Sequence, residues 1–195
     1  MSSSYGQLLK DLQLGFEEGE KPVQDFLKEE FGILTKNVGK NHVGWDLEVS
    51  GVDKKFIKGT KKDPKKLQKK FENKFGKTLE VKRDKASDRT GNFFYEVWSN
   101  IRVHNPGCVN GSKADVIVIV RKKEFIFINR GYFISWLMYN IYCETELGKK
   151  WKKKTSRRIK NPKMKSSSIS PQVRGLLIPI EDIIEEACIE VFERE

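Results

Sequence analysis

Hydrophobic positions along the chain repeat with two periods, which predict an alternation of helices and strands. Helical spacing predicts helices over residues 17–31, 64–75 and 131–143, from residue 180 to the C-terminus, and a short one over 5–13. Gly32 is expected to end the first long helix, because glycine readily adopts the left-handed cap conformation. Alternating or continuous apolar runs predict strands over residues 43–49, 55–58, 78–83, 93–98, 114–120, 125–128 and 174–178.

This order of elements predicts one α/β domain over residues 1–195, with a mixed central β-sheet flanked by helices. Two segments interrupt the pattern. Residues 53–77 form a lysine-rich insertion between two strands, and residues 145–171 are basic, rich in serine and without a clear period. We expect the second segment to be a long mobile loop.

The net charge of +11 is concentrated in the middle of the chain. Residues 53–77 hold eleven lysines and three acidic residues, and residues 149–165 hold ten Lys or Arg residues and no acidic one. Two concentrated basic segments favour a polyanionic partner. Because no amphipathic membrane helix accompanies them, nucleic acid is a better partner than lipid. Solvated lysines without a partner are the alternative for either segment.

Other features of the composition exclude several classes of protein. No apolar run is long enough to span a bilayer, and residues 1–5 show no charged region followed by an apolar core. The three cysteines, Cys108, Cys143 and Cys188, are odd in number and far apart, which favours a reducing, cytoplasmic location. With two histidines and no Cys-x-x-Cys, a structural zinc site is not expected.

Candidate chemistry lies on two predicted strands. Asp46 stands in one of them, and Glu80-Val81-Lys82 forms part of the next. Two carboxylates on neighbouring strand ends can hold a hard cation, and a lysine two residues after the second points to the same face. This set suits metal-assisted hydrolysis of a phosphodiester. Three other acid-x-Lys triplets fall in a turn, in a loop or on a helix. The exposed face of an ordinary strand is the alternative for Glu80 and Lys82.

The order of these residues resembles the PD-(D/E)xK nuclease superfamily, which has the restriction-endonuclease-like fold. That group includes small phage and archaeal-virus nucleases and Holliday-junction resolvases. The resemblance covers about residues 14–140 and is carried by Gly19-Glu20 near a helix start, by Asp46 and by Glu80-Val81-Lys82, with support from residues 85–98 and 112–115. Trp45 stands where the superfamily has proline, and the insertion makes the spacing between Asp46 and Glu80 long.

The resemblance implies that Asp46, Glu80 and Glu20 bind Mg²⁺ or Mn²⁺, with the Val81 carbonyl as a further ligand. Lys82 would orient or deprotonate the attacking water, or stabilise the pentacovalent phosphate. Glu17 is the alternative to Glu20 as the acidic residue on the helix, and for Glu20 itself the alternative is an acid favourably placed in the first turn of a helix. Two secondary candidates are Glu96 and Asp115, and for Asp115 the alternative is hydrogen bonding to the backbone at a strand end.

The implied activity is a metal-dependent deoxyribonuclease, an endonuclease that selects DNA structure or strand rather than sequence. An inactive nucleic-acid-binding protein, a ribonuclease and a subunit that needs a partner are the alternatives. Trp151 would either stack on a base or anchor its segment to the core. Homodimers are common in the superfamily, and the apolar stripe of the C-terminal helix is the one candidate surface. The candidate nucleic-acid contacts are Lys65, Lys66, Lys69, Lys85, Arg89, Asn92, Lys113, Lys152 and Lys153.

Overall fold

A six-stranded mixed sheet forms the centre of the molecule. The computed structural model describes residues 15–38, 44–58, 60, 62–100, 105–154 and 174–194. The strands within these ranges are β1 (Ile33–Asn37), β2 (Leu47–Val52), β3 (Thr78–Arg83), β4 (Asn92–Asn100), β5 (Asn105–Pro106), β6 (Val116–Val120), β7 (Glu124–Asn129), β8 (Arg174–Pro179) and β9 (Cys188–Glu193). The helices are α1 (Lys21–Phe31), α2 (Lys54–Ile57), α3 (Pro64–Phe75), α4 (Lys85–Thr90), α5 (Cys108–Gly111), α6 (Arg130–Tyr142), α7 (Glu146–Lys154) and α8 (Ile180–Glu186). A π-helical turn, Phe16–Glu20, leads into α1.

The strands of the central sheet lie in the order β1-β2-β3-β6-β7-β9. Neighbouring strands are antiparallel except for β3 and β6, which run parallel. A second, smaller antiparallel sheet has the order β5-β4-β8. The predicted α/β architecture, a mixed sheet flanked by helices, is therefore confirmed.

Strand β6 is buried on both faces, and each face packs against a different apolar cluster. Val118 faces the cluster formed with α1 and α3, to which Leu27 and Phe75 contribute. Ile117 and Ile119 face the cluster formed with α6, α7, α8 and the smaller sheet. The continuous β-branched sequence of β6 suits this position, because both sides of the strand meet apolar neighbours.

The insertion before β3 contains α3, as its sequence predicts. The Asp63 side chain accepts a hydrogen bond from the Lys65 backbone N–H (2.9 Å), and Pro64 occupies the first turn. Gly76 follows the helix with a positive φ of 79°, and a Cβ atom there would lie 2.3 Å from the Cβ of Asp115. Glycine is therefore required where α3 turns into β3.

Several predicted elements differ from the structure. The strand predicted over residues 55–58 is wrong, because the Asp53 side chain caps a helical turn there, α2. The strand predicted over 43–49 begins later, at Leu47. Strand β1 and helix α4 were not predicted, whereas Gly32 ends α1 in the left-handed conformation as expected. The helix predicted over residues 5–13 lies outside the described residues.

The prediction of one helix from residue 180 to the C-terminus is wrong. Helix α8 ends at Glu186, and the chain continues as β9, which pairs with β7. The apolar residues of this segment fit both the helical period and the alternation of a strand. Pairing with the open edge of β7 selects the strand. The stripe named as a candidate dimer surface therefore belongs partly to the sheet.

The basic segment predicted as a loop over residues 145–171 begins with a helix, α7. Its remainder, from residue 155, lies outside the described residues. Trp151 on α7 is fully buried, and its Nε1 donates a hydrogen bond to Asp182 Oδ2 (2.9 Å). The structure therefore supports the anchoring role of Trp151. Burial of this side chain explains why the lysine-rich helix α7 packs against the core. Within the described residues, no helix has the length and apolar character needed to cross a membrane.

Candidate functional site

The site begins where strands β2 and β3 separate. Their pairing covers Leu47 with Leu79 and Glu48 with Thr78. One residue earlier, the Asp46 N–H donates to the Leu79 carbonyl (2.9 Å), and Asp46 Oδ2 accepts the Val81 N–H (2.7 Å). A side-chain carboxylate thus replaces a backbone carbonyl of the strand ladder. The Val81 carbonyl faces the same gap, because the N–H and C=O of one strand residue point to the same edge.

Glu80 and Lys82 lie on the same face of β3. Their register partners on β6 are Ile117 and Ile119, which face the cluster containing α6. Glu80 is 7% exposed, and its carboxylate forms an ion pair with the Lys82 ammonium. Burial raises the pKa of Glu80 above its ordinary value, the Lys82 charge opposes this shift, and the negative charge of Asp46 adds to it. The three side chains therefore share one electrostatic environment.

Lys82 is held in its charged form. Burial opposes the charge, but the nearby Cys108 side chain, once ionised at high pH, and the negative charges of Glu80 and Asp46 raise the pKa of Lys82 above its ordinary value. An ammonium in this state can stabilise negative charge or orient water by donating hydrogen bonds. It cannot accept a proton, so the geometry does not favour deprotonation of water by Lys82.

Glu20 reaches the same environment from the π-helical turn. The preceding Gly19 is buried against the side chains of Val81 and Arg83, which places the end of the turn beside β3. Burial and the negative charge of Asp46 raise the pKa of Glu20, and a hydrogen bond from Asn37 Nδ2 partly offsets these effects. π-Helical turns are rare and often occur at functional sites.

Glu20 is the helix acid whose pKa responds to Asp46, Lys82 and Glu80. Glu17 is exposed, and the intervening Glu18 forms an ion pair with Lys85 (2.6 Å). The structure therefore brings together Glu20, Asp46, Glu80 and Lys82, all four of which were identified from the sequence.

Three further residues contact this group and were not identified from the sequence: Asn37, Cys108 and Ser112. Ser112 is 4% exposed, its Oγ donates to the Gly44 carbonyl (2.7 Å), and it lies close enough to the Glu80 carboxylate to lower the pKa of Glu80. It thereby links the loop that carries Asp46 to the strand that carries Glu80. Burial raises the pKa of the Cys108 thiol, so the group is neutral at physiological pH. The approach of Ser112 to the strand gap depends on tertiary packing, and no sequence pattern indicates it.

The two secondary candidates have separate positions. Asp115 Oδ2 accepts hydrogen bonds from Lys77 N (2.8 Å), Thr78 N (3.0 Å) and Thr78 Oγ1 (3.0 Å). Burial opposes ionisation of Asp115, but these hydrogen bonds outweigh it and lower the pKa. Asp115 thus has the strand-end role that was its alternative. Glu96 Oε2 accepts the Cys108 N–H (3.3 Å), which places it at the periphery of the site.

The candidate nucleic-acid contacts are distributed over several elements. Lys65, Lys66 and Lys69 are exposed on one side of α3, whose opposite side is buried through Phe71 and Phe75. Arg89 and Lys113 are exposed, and Lys85 is exposed but paired with Glu18. Asn92 Nδ2 donates to the Thr90 carbonyl (2.7 Å) within a turn. Lys152 and Lys153 lie on α7, and their side chains are outside the described residues.

Oxygen atoms are the donors available in the strand gap: the carboxylates of Glu20, Asp46 and Glu80 and the carbonyl of Val81. This donor set fits a hard divalent cation such as Mg²⁺ or Mn²⁺. Burial is the main cause of the raised pKa of Glu20 and of Glu80, and the negative charge of Asp46 adds to it; a bound cation would relieve this repulsion. Among the described residues, no three His, Cys, Asp or Glu side chains are already arranged closely enough to hold a metal ion.

Comparison with known proteins identifies no relative. The chain matches no protein-family model, no curated protein and no solved structure. The assignment of a function therefore depends on the residues and their geometry.

Proposed function

We propose that this chain is a divalent-metal-dependent nuclease with a restriction-endonuclease-like core, which hydrolyses phosphodiester bonds of DNA. The observation that carries the proposal is the convergence of Glu20, Asp46, Glu80 and Lys82 from three elements that are distant in sequence. Placing three carboxylates and one ammonium together in a half-buried gap lowers the stability of the folded protein, because like charges repel and buried charges lose hydration. A catalytic role explains why such a cluster is present.

Each residue of the cluster has a role in the proposed reaction. Asp46, Glu80 and Glu20 would hold Mg²⁺ or Mn²⁺, and the Val81 carbonyl would contribute a further oxygen. The bound cation would supply Lewis acidity toward the phosphate and would acidify the attacking water. The Lys82 ammonium stabilises the negative charge that develops on the phosphate in the transition state, or orients the water. Its partly buried position strengthens this interaction, because nearby charges interact more strongly away from bulk water.

The exposed lysines of α3 and the net charge of +11 support a nucleic-acid substrate. Contacts of this kind give affinity that is independent of sequence and sensitive to salt. No described element resembles a base-reading motif, so selection of DNA structure or strand fits better than recognition of sequence. The two alternative functions are an inactive nucleic-acid-binding protein and a ribonuclease. The cleavage assay described next distinguishes both from a deoxyribonuclease.

The test is a cleavage assay of the wild-type protein and Lys82→Ala on single-stranded DNA, duplex, flap, four-way junction and RNA. Each substrate is incubated with Mg²⁺, Mn²⁺ or EDTA. Lys122→Ala is the matched control, because Lys122 is exposed in the turn between β6 and β7. We expect metal-dependent cleavage of DNA that Lys82→Ala lowers at least about 100-fold, the lower range for loss of one electrostatic donor, and that Lys122→Ala leaves unchanged.

Three outcomes would contradict parts of the proposal. Cleavage by Lys82→Ala at the wild-type rate would exclude the assigned centre. Binding without cleavage of any substrate would favour the inactive nucleic-acid-binding protein or a subunit that lacks its partner. Faster cleavage of RNA than of every DNA substrate would favour a ribonuclease.

A further inference from the structure

One face of helix α6 carries an exposed aromatic surface. Among the described residues, the large hydrophobic side chains that remain exposed all lie on this helix: Tyr132 (55%), Met138 (42%), Tyr139 (63%) and Tyr142 (74%). Spacings of seven residues from Tyr132 to Tyr139 and of three from Tyr139 to Tyr142 place the tyrosines on the same side of the helix. The opposite side is buried in the core through Phe133, Trp136, Leu137 and Asn140.

This surface, formed by Tyr132, Tyr139, Tyr142 and Met138, is uncharged. No charged residue occurs from Gly131 to Cys143, although charged residues make up 33% of the chain. The exposed side of a surface helix normally carries charged and polar residues. An uncharged aromatic stripe on such a charged chain therefore indicates contact with a partner.

The chemistry of the surface favours unpaired bases over a second copy of the chain. Two copies with a net charge of +11 each repel one another, whereas a nucleic acid is attracted. Tyrosine dominates the surface, and because aromatic residues are common both in protein interfaces and where bases stack, the charge is what distinguishes the two partners. The flat face of a tyrosine ring can stack on any base, because every base has a π-face.

The position of the surface connects it with the candidate metal site. Arg130, at the start of α6, donates hydrogen bonds from Nε to the Val109 carbonyl (3.0 Å) and from Nη2 to the Asn110 carbonyl (3.3 Å). Both carbonyls belong to α5, whose first residue, Cys108, interacts electrostatically with Lys82. The surface therefore starts beside the element that borders the site and extends toward the lysine-rich helix α7.

The length of the surface suits a short single strand. Ten residues separate Tyr132 from Tyr142, which is about 15 Å along a helix. Stacked nucleotides advance by about 3.4 Å each, so this distance corresponds to about four bases.

We propose that this surface binds an unpaired strand of DNA by stacking its bases on Tyr132, Tyr139 and Tyr142. The identity of the partner rests on the proposed nuclease function, and the inference narrows the substrate class to DNA with a single-stranded segment, such as a flap or an overhang.

The test measures binding of a fluorescent oligothymidine and of a duplex with the same number of phosphates, both in EDTA so that no cleavage occurs. The variants are the double substitutions of Tyr139 and Tyr142 to Ser, to Leu and to Phe. Because each stacked base contributes about 5–150-fold in affinity, we expect the Ser and Leu variants to bind the single strand at least about fivefold more weakly. The Phe variant should bind as the wild type does, and duplex affinity should be unchanged in all three.

The salt dependence separates stacking from a charge effect. Because tyrosine carries no charge, the slope of log affinity against log salt should be the same for the wild type and the Ser variant. Equal binding of the single strand by the wild type and the Ser variant would overturn the proposal. A dimer in sedimentation experiments that the Ser substitutions convert to a monomer would overturn it in favour of a second copy.

The same samples distinguish failure of this inference from failure of the nuclease function. If the tyrosine variants lose single-strand binding but no DNA is cleaved by any form, the stacking surface stands and the nuclease assignment fails. If Lys82→Ala abolishes cleavage and the tyrosine variants bind normally, the nuclease assignment stands and the stacking surface is excluded.

Discussion

The Asp46 carboxylate accepts the backbone N–H of Val81 at 2.7 Å, so the side chain of one proposed metal ligand completes the hydrogen bonding of the strand that carries another. The fold and the site are joined at this contact. A carboxylate in this position fixes the distance between β2 and β3 where their backbones separate, and it keeps its negative charge directed into the gap.

This contact predicts different effects for two substitutions of Asp46. Asp46→Asn retains an oxygen that can accept the Val81 N–H but removes the charge, so we expect a stable protein that neither binds Mg²⁺ nor cleaves DNA. Asp46→Ala removes both and leaves the Val81 N–H without its acceptor, which should also lower the free energy of unfolding by about 1–3 kcal/mol. Urea unfolding in EDTA measures stability, and calorimetric titration with Mg²⁺ measures binding. Mg²⁺ binding by Asp46→Asn at wild-type affinity would exclude Asp46 as a ligand.

The strands and helices with strong local patterns could be predicted from the sequence. The alternation in β3, the β-branched run of β6 and the capped, amphipathic α3 each contain enough information within one segment. The same holds for Glu80 and Lys82, because side-chain alternation along a strand decides where they point, whereas Asp46 lies one residue before β2.

Other parts of the structure depend on contacts between distant segments. Residues of β9 fit helical and extended periods equally, and the open edge of β7 selects the strand. Helix α7 looks like a solvated lysine-rich segment until Trp151 is placed against Asp182. Ser112 contacts Gly44 across 68 positions of sequence, and no local pattern reports such a contact.

Ser112 should influence metal binding through the position of Asp46. Ser112→Ala removes the hydrogen bond to the Gly44 carbonyl and the acceptor of the Ala114 N–H (3.1 Å), with an expected loss of about 1–3 kcal/mol in stability. We also expect a higher Mg²⁺ concentration for half-maximal cleavage and unchanged affinity for DNA in EDTA. Ser87→Ala is the matched control, because Ser87 is fully buried and its Oγ donates to the Asp84 carbonyl at the same distance, 2.7 Å. A purely structural role would make the two variants alike in their metal dependence.

The exposed lysines of α3 should set part of the salt dependence of DNA binding. Each phosphate contact contributes about 0.9 to the slope of log affinity against log salt, so the triple variant of Lys65, Lys66 and Lys69 to Gln should lower the slope by up to about 2.7. Fluorescence anisotropy with a duplex over a range of salt concentrations gives the slope. The control removes three charges elsewhere on the surface, at Lys28, Lys122 and Lys123. Equal slopes for the α3 variant and the wild type would show that α3 does not contact the phosphates.

The three cysteines should react with iodoacetamide at different rates. Cys143 is exposed, whereas burial raises the pKa of the Cys108 and Cys188 thiols. Because the thiolate is the reactive form, Cys143 should be alkylated several-fold faster than the other two at neutral pH. Mass spectrometry of peptides after short reaction times measures the three rates, and guanidinium-unfolded protein provides the reference in which they should become similar. Alkylation of Cys108 as fast as Cys143 in the folded protein would contradict the burial of the Cys108 thiol.

Asp88 should contribute to the acid sensitivity of the fold. Burial opposes its ionisation, but the Lys122 N–H (2.7 Å), Arg83 (2.7 Å) and the charge of Arg121 outweigh burial and lower its pKa below the ordinary value. A lowered pKa in the folded state means that the ionised Asp88 stabilises the protein above the unfolded-state pKa, about 4. This stability is lost as the pH falls from about 4 through the folded-state pKa. Urea unfolding between neutral and acidic pH should therefore show a shallower loss of stability for Asp88→Asn than for the wild type. Asp25→Asn, at an exposed position of α1, removes the same formal charge and should retain the wild-type profile; equal profiles for all three proteins would exclude a role for the Asp88 ion pairs.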